Sequence, residues 1–144
     1  MLYDHRQLGV DLFNHTWTLL ERERTADEDD EMVGAAHASR YHWSKASTEA
    51  THQARGEWQL ARVYAVLGRG EPAVHHARRC LEWCGRGEVE DWDVAFAHEA
   101  LARADRVAGD DAKAEEHRLV ARELGDAIAD PEDREHFDED WATL

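Results

Sequence analysis

The feature of this sequence that most constrains its fold is an internal repeat with an offset of 41 residues. The same residue types return at this spacing: Ala54, Leu60, Ala61, Arg62, Val66, Gly68, Ala73 and Glu82 recur as Ala95, Leu101, Ala102, Arg103, Val107, Gly109, Ala114 and Glu123. One step earlier, Trp58, Leu60, Val74 and Ala77 match Trp17, Leu19, Val33 and Ala36. Self-similarity at a period of roughly 20 to 50 residues is typical of stacked structural units. The chain is therefore expected to contain three copies of one unit, the first of them the most diverged.

Each unit has the pattern of two helices. Leu60, Tyr64 and Leu67 follow the i, i+4, i+7 spacing of an amphipathic helix, and no segment alternates with the period of two that a strand needs. Glycines at 68, 85 and 109 interrupt the pattern, while Pro72 and Pro131 suit first helical turns. These signals predict an all-α fold with helices at about 4–23, 28–46, 50–68, 71–85, 91–108, 111–127 and 131–142.

The repeated positions resemble the tetratricopeptide repeat. The residues that carry the resemblance are Leu60, Ala61, Tyr64, Gly68, Ala73 and Cys80, and in the next unit Leu101, Ala102, Gly109, Ala114 and Ala121. Asp105 departs from the aromatic position, Ala26 and Asp27 stand where a glycine is expected, and the period exceeds the family's usual length of about 34. The resemblance covers roughly residues 10–127. It implies a right-handed α-solenoid of about three hairpins with a C-terminal capping helix. The length of 144 residues suits one domain, over residues 1–144.

The resemblance also implies a binding surface, because the first helix of each pair lines a concave groove in this family. The positions that would face this groove are Asn14, Trp17, Glu21, Arg55, Trp58, Arg62, Glu99, Arg103 and Arg106. Arginine can bind carboxylates through paired hydrogen bonds, and tryptophan offers flat apolar area, so the expected partner is a protein or peptide segment of acidic character. The alternative is that these arginines pair with acidic residues of their own chain.

Charge and cysteine content narrow the classes of partner. The formal net charge is −15, which opposes binding to nucleic acid phosphates or to an anionic membrane. The first residues lack the basic start and apolar run of a signal peptide, so a cytoplasmic location is expected. Acidic runs at 27–31 and 130–140 precede or begin predicted helices, where carboxylates interact favourably with the helix dipole, and they lack the ligand spacing of a calcium loop.

One cluster could bind a transition metal. His76, Cys80 and Cys84 follow one another at i, i+4 spacing and offer an imidazole and two thiolates to zinc. However, each step of four residues rises about 6 Å along a helix, so the three side chains cannot all reach one ion. We therefore expect core cysteines and no cofactor, and a site formed by two of these residues with a distant ligand remains the alternative.

Together these patterns predict a non-enzymatic interaction module that binds a peptide or helix through an Arg- and Trp-containing groove. No phosphate loop, serine elbow or paired zinc-protease histidines are present in the sequence. The alternative function is a metal-binding sensor or a small metal-dependent enzyme. Whether the chain also associates with its own copies is left open.

Overall fold

The fold is built from helices alone in residues 2–144, which are the residues that a computed structural model of the chain describes. The helices are α1 (His5–Leu20), α2 (Ala26–Ala46), α3 (Ala50–Val66), α4 (Gly70–Cys84), α5 (Asp91–Val107), α6 (Asp111–Asp126) and α7 (Pro131–Trp141). No strand occurs among these residues. The prediction of an all-α fold is confirmed, and each helix lies where the periodicity places one.

The acidic run at 27–31 begins α2, and this helix starts two residues earlier than the sequence predicted. Thr25 accepts a hydrogen bond from the backbone N–H of Glu28 at 3.2 Å, and the Glu28 carboxylate accepts one from the N–H of Thr25 at 3.1 Å. This reciprocal capping box satisfies two N–H groups that a helix start leaves unpaired. The cap therefore fixes the start of α2 at Ala26.

The helices pack in a repeat-like pattern. α1 packs against α2, α3 against α4 and α5 against α6, and each pair contacts the next one along the chain. The first helices of the pairs also meet, since α3 packs against α5 and α1 touches α3. These three helices present one common surface, which we call the α1–α3–α5 face.

The offset of 41 residues is visible in the backbone as well as in the side chains. Gly68 and Gly109 both adopt positive φ angles, of 73° and 87°. The residue after each glycine donates a backbone hydrogen bond of 2.9 Å across the turn, Arg69 to Tyr64 and Asp110 to Asp105. The turns of the second and third hairpins are therefore the same structure, closed by a glycine in the left-handed region.

Helix α7 packs on the last hairpin. Phe137 is fully buried and contacts a core cluster that includes Ala95, Phe96 and Ala121. Its ring lies so close to Gly125 that a Cβ built there would fall 2.1 Å from Phe137 Cε1. The missing side chain of Gly125 thus lets α7 approach α6 closely.

Within residues 2–144, no helix combines the length and the apolar character that crossing a bilayer requires.

Candidate functional site

The α1–α3–α5 face contains a pocket of about 530 Å³. We call this cavity the aromatic pocket. Its walls carry five aromatic side chains, those of Phe13, Trp17, Trp58, Trp92 and Phe96. The smaller side chains of Ala54 and Cys80 also line it. Because these two small residues lie among large aromatic ones, the wall recedes there and leaves room for a ligand.

The aromatic rings contact one another around the pocket. The ring centroids of Trp17 and Trp58 are 5.5 Å apart, and those of Trp58 and Phe96 are 5.7 Å apart with an edge-to-face geometry. Trp92 meets Phe96 edge to face at 6.2 Å. Pairs at these separations stabilise each other beyond the area they bury. The walls are therefore held by contacts within the chain.

Cys80 contributes an uncharged surface to the pocket. Its hydrogen bond to Cys84, followed by its burial, raises the pKa of the Cys80 thiol well above the ordinary value. The thiol is therefore protonated at neutral pH and behaves as a small apolar group.

One ion pair lies in the pocket wall. Arg55 donates two hydrogen bonds to Asp93, from Nε to Oδ1 at 3.0 Å and from Nη2 to Oδ2 at 3.1 Å. Asp93 is buried and also accepts a hydrogen bond from the N–H of Glu90 at 2.9 Å, which fixes it at the start of α5. The Arg55 guanidinium lies 4.2 Å from the centroid of the Trp92 ring. This pair is thus held in place from both sides and is neutral overall.

Two further carboxylates line the pocket without an ion-pair partner among residues 2–144: Glu21 after α1 and Asp133 on α7. The pKa of Asp133 is raised, first by partial loss of solvent and then by the neighbouring carboxylates of Asp130, Asp91 and Glu90. The part of the pocket around Asp133 is therefore a region of negative potential.

Next to the pocket the same face is occupied by an ion network of Arg62, Glu99, Arg103 and Asp140. Glu99 is fully buried, and its Oε1 accepts hydrogen bonds from Arg62 at 3.2 Å and from two nitrogens of Arg103 at 3.0 and 2.6 Å. Arg62 also donates to Asp140 on α7 at 2.8 Å. The network links α3, α5 and α7.

The predicted groove residues divide between these two regions. Trp17, Glu21, Arg55 and Trp58 line the aromatic pocket, and Asn14 lines a smaller neighbouring cavity of about 180 Å³. Arg62, Glu99 and Arg103 belong to the ion network, and Arg106 is exposed near the end of α5. Trp58 Nε1 donates to Glu99 at 3.4 Å, so Trp58 and Arg103 bind the same carboxylate.

Three of the four predicted carboxylate-binding arginines already bind carboxylates of their own chain. Arg55 is paired with Asp93, and Arg62 and Arg103 are both paired with Glu99. Of the two interpretations that the sequence left open for these residues, internal pairing is the one seen in the structure. The recognition of an acidic peptide stays a prediction, and it now depends on Arg106.

Sequence reasoning missed part of the pocket. Phe96 follows Arg55 by one repeat and so occupies a register position that the groove prediction had used, which was a usable signal. Trp92 lies one helical turn before Phe96, at a position that the groove prediction did not include. Asp133 and His136 lie on α7, which has no counterpart in the repeat, and no sequence signal could have placed them here.

Of the three proposed metal ligands, Cys80 and Cys84 contact each other, whereas His76 is engaged elsewhere. His76 Nδ1 lies 2.6 Å from the Glu57 carboxylate, and its ring stacks on Tyr64. Cys80 and Cys84 are free thiols in the core between α3, α4 and α5. In the part of the chain that the structure describes, no group of three or more His, Cys, Asp or Glu side chains is arranged to hold a metal ion.

No protein-family model matches the chain, and no curated protein or solved structure is significantly similar to it. The resemblance to the tetratricopeptide repeat therefore stays a prediction made from the repeated positions.

Proposed function

We propose that this protein is a non-catalytic binding module that receives a protein segment in the aromatic pocket. The observation that carries the proposal is an open cavity of about 530 Å³ walled by five aromatic side chains. Ligand sites in proteins have volumes of roughly 300 to 1,000 Å³, mostly apolar walls and a few polar groups. Large aromatic side chains in such a setting are the usual anchors of protein recognition.

We also propose that the fold is a right-handed solenoid of the tetratricopeptide type. The support is the repeat itself: the second and third hairpins share their side-chain pattern, their turn glycines and the register of their helices. In that family the first helices of the pairs carry the ligand, and the aromatic pocket lies on the surface of the corresponding helices α1, α3 and α5.

Two of the lining residues that could carry chemistry are poorly suited to it. Cys80 has a raised pKa, which removes it as a nucleophile at neutral pH. Asp93 is fixed by two hydrogen bonds from Arg55, which leaves it poorly suited to accept a proton. What the pocket offers a partner is apolar aromatic area with charge at its rim.

The anchors in this proposal are Trp17 and Trp58 rather than the arginines. A second copy of the chain is a poor occupant, because each copy carries a formal net charge of −15 and the two would repel. The partner is therefore a different protein.

The experiment is a selection of peptides from a random displayed library, followed by fluorine NMR of the protein labelled with 5-fluorotryptophan. We expect selected peptides to shift the signals of Trp17, Trp58 and Trp92, which line the pocket, and to leave unchanged the signal of Trp83, which lies on α4, does not line the pocket and stacks with Arg86. Trp17→Ala should abolish binding, and Trp83→Ala is the matched control. Peptides that bind the Trp17→Ala variant as tightly as the parent protein would overturn the proposal.

A further inference from the structure

We infer that the segment received by the aromatic pocket is cationic, with a lysine or arginine next to an aromatic residue. This inference rests on the proposed binding function and specifies its partner. The charge inferred for the partner is opposite to the acidic character expected from the arginines of the sequence, because those arginines are largely neutralised by carboxylates of their own chain.

The charges that line the pocket do not balance. Arg55 is the one lysine or arginine among the described lining residues, and Asp93 neutralises it. Glu21 and Asp133 remain, and both line the pocket without an ion-pair partner in residues 2–144. An occupant with a positive charge would complete this arrangement, whereas a carboxylate would meet two others.

The tryptophans give a second, independent observation. Five of the six tryptophans carry a cationic side chain within 6 Å of a ring centroid: Trp43, Trp58, Trp83, Trp92 and Trp141. Trp17 is the exception among the described residues, and it lies in the pocket wall. A tryptophan face attracts cations more strongly than any other side-chain ring. Trp17 therefore offers a cation subsite that the chain itself does not fill.

The repeat explains why the subsite is empty. Trp58 is followed four residues later by Arg62, whose guanidinium lies 5.2 Å from the Trp58 ring centroid. Trp17 occupies the equivalent position one repeat earlier, and the residue four positions after it is Glu21. Residues four apart on a helix lie on the same side of it. The middle hairpin thus supplies its own cation, while the first supplies a carboxylate that would bind a cation from outside.

The wider field supports the same sign. Asp130, Asp91 and Glu90 surround Asp133 closely enough to raise its pKa, and the whole chain has a formal net charge of −15. A cleft lined by one sign of charge concentrates ligands of the opposite sign and accelerates their association. Basic segments would therefore reach this side of the pocket faster than acidic ones.

The test compares three blocked tripeptides by calorimetry and by the 5-fluorotryptophan signal of Trp17: acetyl-Lys-Phe-Lys-amide, acetyl-Gln-Phe-Gln-amide and acetyl-Glu-Phe-Glu-amide. We expect the lysine peptide to bind about 10-fold more tightly than the glutamine peptide, and the glutamate peptide most weakly. Raising the salt concentration should reduce the lysine preference.

The variant Glu21→Gln should reduce the affinity for the lysine peptide by about 3-fold to 10-fold and leave that for the glutamine peptide unchanged. Glu23→Gln is the matched control, since Glu23 is exposed, lies two residues away and does not line the pocket. Both residues are exposed, so neither substitution should disturb the fold. An equal loss in both variants would show a general charge effect and overturn the assignment to Glu21.

The remaining outcomes separate this inference from the function on which it rests. If the glutamine or glutamate peptide binds as tightly as the lysine peptide and shifts Trp17, the pocket binds peptides and the cation preference is wrong. If none of the three shifts Trp17, both proposals fail. If the phenylpropylammonium ion binds more tightly than the lysine peptide, the cation chemistry stands and a protein segment as its source is overturned.

Discussion

The aromatic pocket and the ion network are two parts of one face built on the same repeat positions. Trp17, Trp58 and Glu99 are equivalent along the chain, and four residues later stand Glu21, Arg62 and Arg103. Where the repeat carries tryptophan, the face is left open as a cavity. Where it carries Glu99, two arginines bind the carboxylate and α7 closes over them.

This contrast shows how a repeat can separate stability from binding. A buried carboxylate must be neutralised, so Glu99 requires its arginines, and they in turn hold Asp140 and the last turn of α7. Aromatic walls carry no such requirement, since a tryptophan can remain half exposed at little cost. One end of the face is thus used to secure the C-terminal helix, and the other is free for a partner.

The most demanding test of this difference between the two regions is to remove Glu99, the centre of the ion network. Glu99→Ala should lower the free energy of unfolding by about 3–5 kcal/mol, because it leaves Arg62 and Arg103 facing each other with their shared partner gone. Glu99→Gln, which keeps the shape and an acceptor oxygen, should lose less. Urea unfolding gives both values. A loss below about 1 kcal/mol for the alanine variant would mean that the network is not a structural element.

The corresponding change in the aromatic pocket should have a smaller effect on stability. Trp17→Ala removes a half-buried side chain and its contact with the Trp58 ring, for an expected loss of about 1–2 kcal/mol in the same measurement. Trp17→Phe, which keeps an aromatic wall, should lose under about 1 kcal/mol. If Trp17→Ala destabilised the protein as much as Glu99→Ala does, the pocket wall would be part of the core and the two regions would not differ in role.

Much of the backbone could be predicted from the sequence, because it depends on local signals that repeat. Gly68 and Gly109 mark identical turns, and the spacing of Leu60, Tyr64 and Leu67 predicts the helix that carries them. The helix start that differs most from the prediction, that of α2, depends on a hydrogen-bonded cap rather than on periodicity.

The candidate site was harder to predict from the sequence, because it depends on which charged residues pair with one another in the fold. Arg62 and Arg103 read equally well as ligand contacts or as members of internal pairs, and the sequence left both open. The outcome is set by Glu99 within the repeat and by Asp140 on α7. Asp140 lies outside the repeat, and its position follows from how Phe137 packs on Gly125, a fit that no periodicity encodes.

The comparison between the aromatic pocket and the ion network is sharper if the two hairpin turns are energetically equivalent. The two regions then differ in their side chains alone. Gly68→Ala and Gly109→Ala should each cost about 1–2 kcal/mol, since alanine is disfavoured at the positive φ of both glycines while the space for its Cβ is open. Thermal unfolding of the two variants should give equal shifts. Gly34→Ala, on α2 where the Cβ also meets nothing, is the control and should not destabilise.

The smallest expected effect is on the pH dependence of folding stability. It concerns two positions that are equivalent in the middle and the last hairpin and that belong neither to the aromatic pocket nor to the ion network. Glu57 and His76 lie 2.6 Å apart in the middle hairpin, and one repeat later the same positions hold His98 and His117, with their Nδ1 atoms 3.0 Å apart. Burial, and then the charge of His117, lowers the pKa of His98 below its ordinary value of 6.5. The unfolded chain therefore takes up a proton at this residue before the folded one does, and folding stability falls as the pH drops below about 6.5.

Replacing His98 by glutamate should recreate the pair of the middle hairpin. In the middle hairpin burial alone would raise the pKa of Glu57, but His76 and Arg40 lower it overall. The contribution of Glu57 to folding stability is therefore lost only when the pH falls below 4.5, the ordinary pKa of a glutamate. His98→Glu should accordingly lose less stability than the parent protein between about pH 7 and pH 5, as measured by urea midpoints. Because the pKa values of His37 and His52 are also lowered, the decline should become shallower and not vanish. The control is His75→Glu, which makes the same charge change at an exposed histidine and should leave the dependence of the urea midpoint on pH unchanged. An equal change in both variants would show that the pair of His98 and His117 is not the cause.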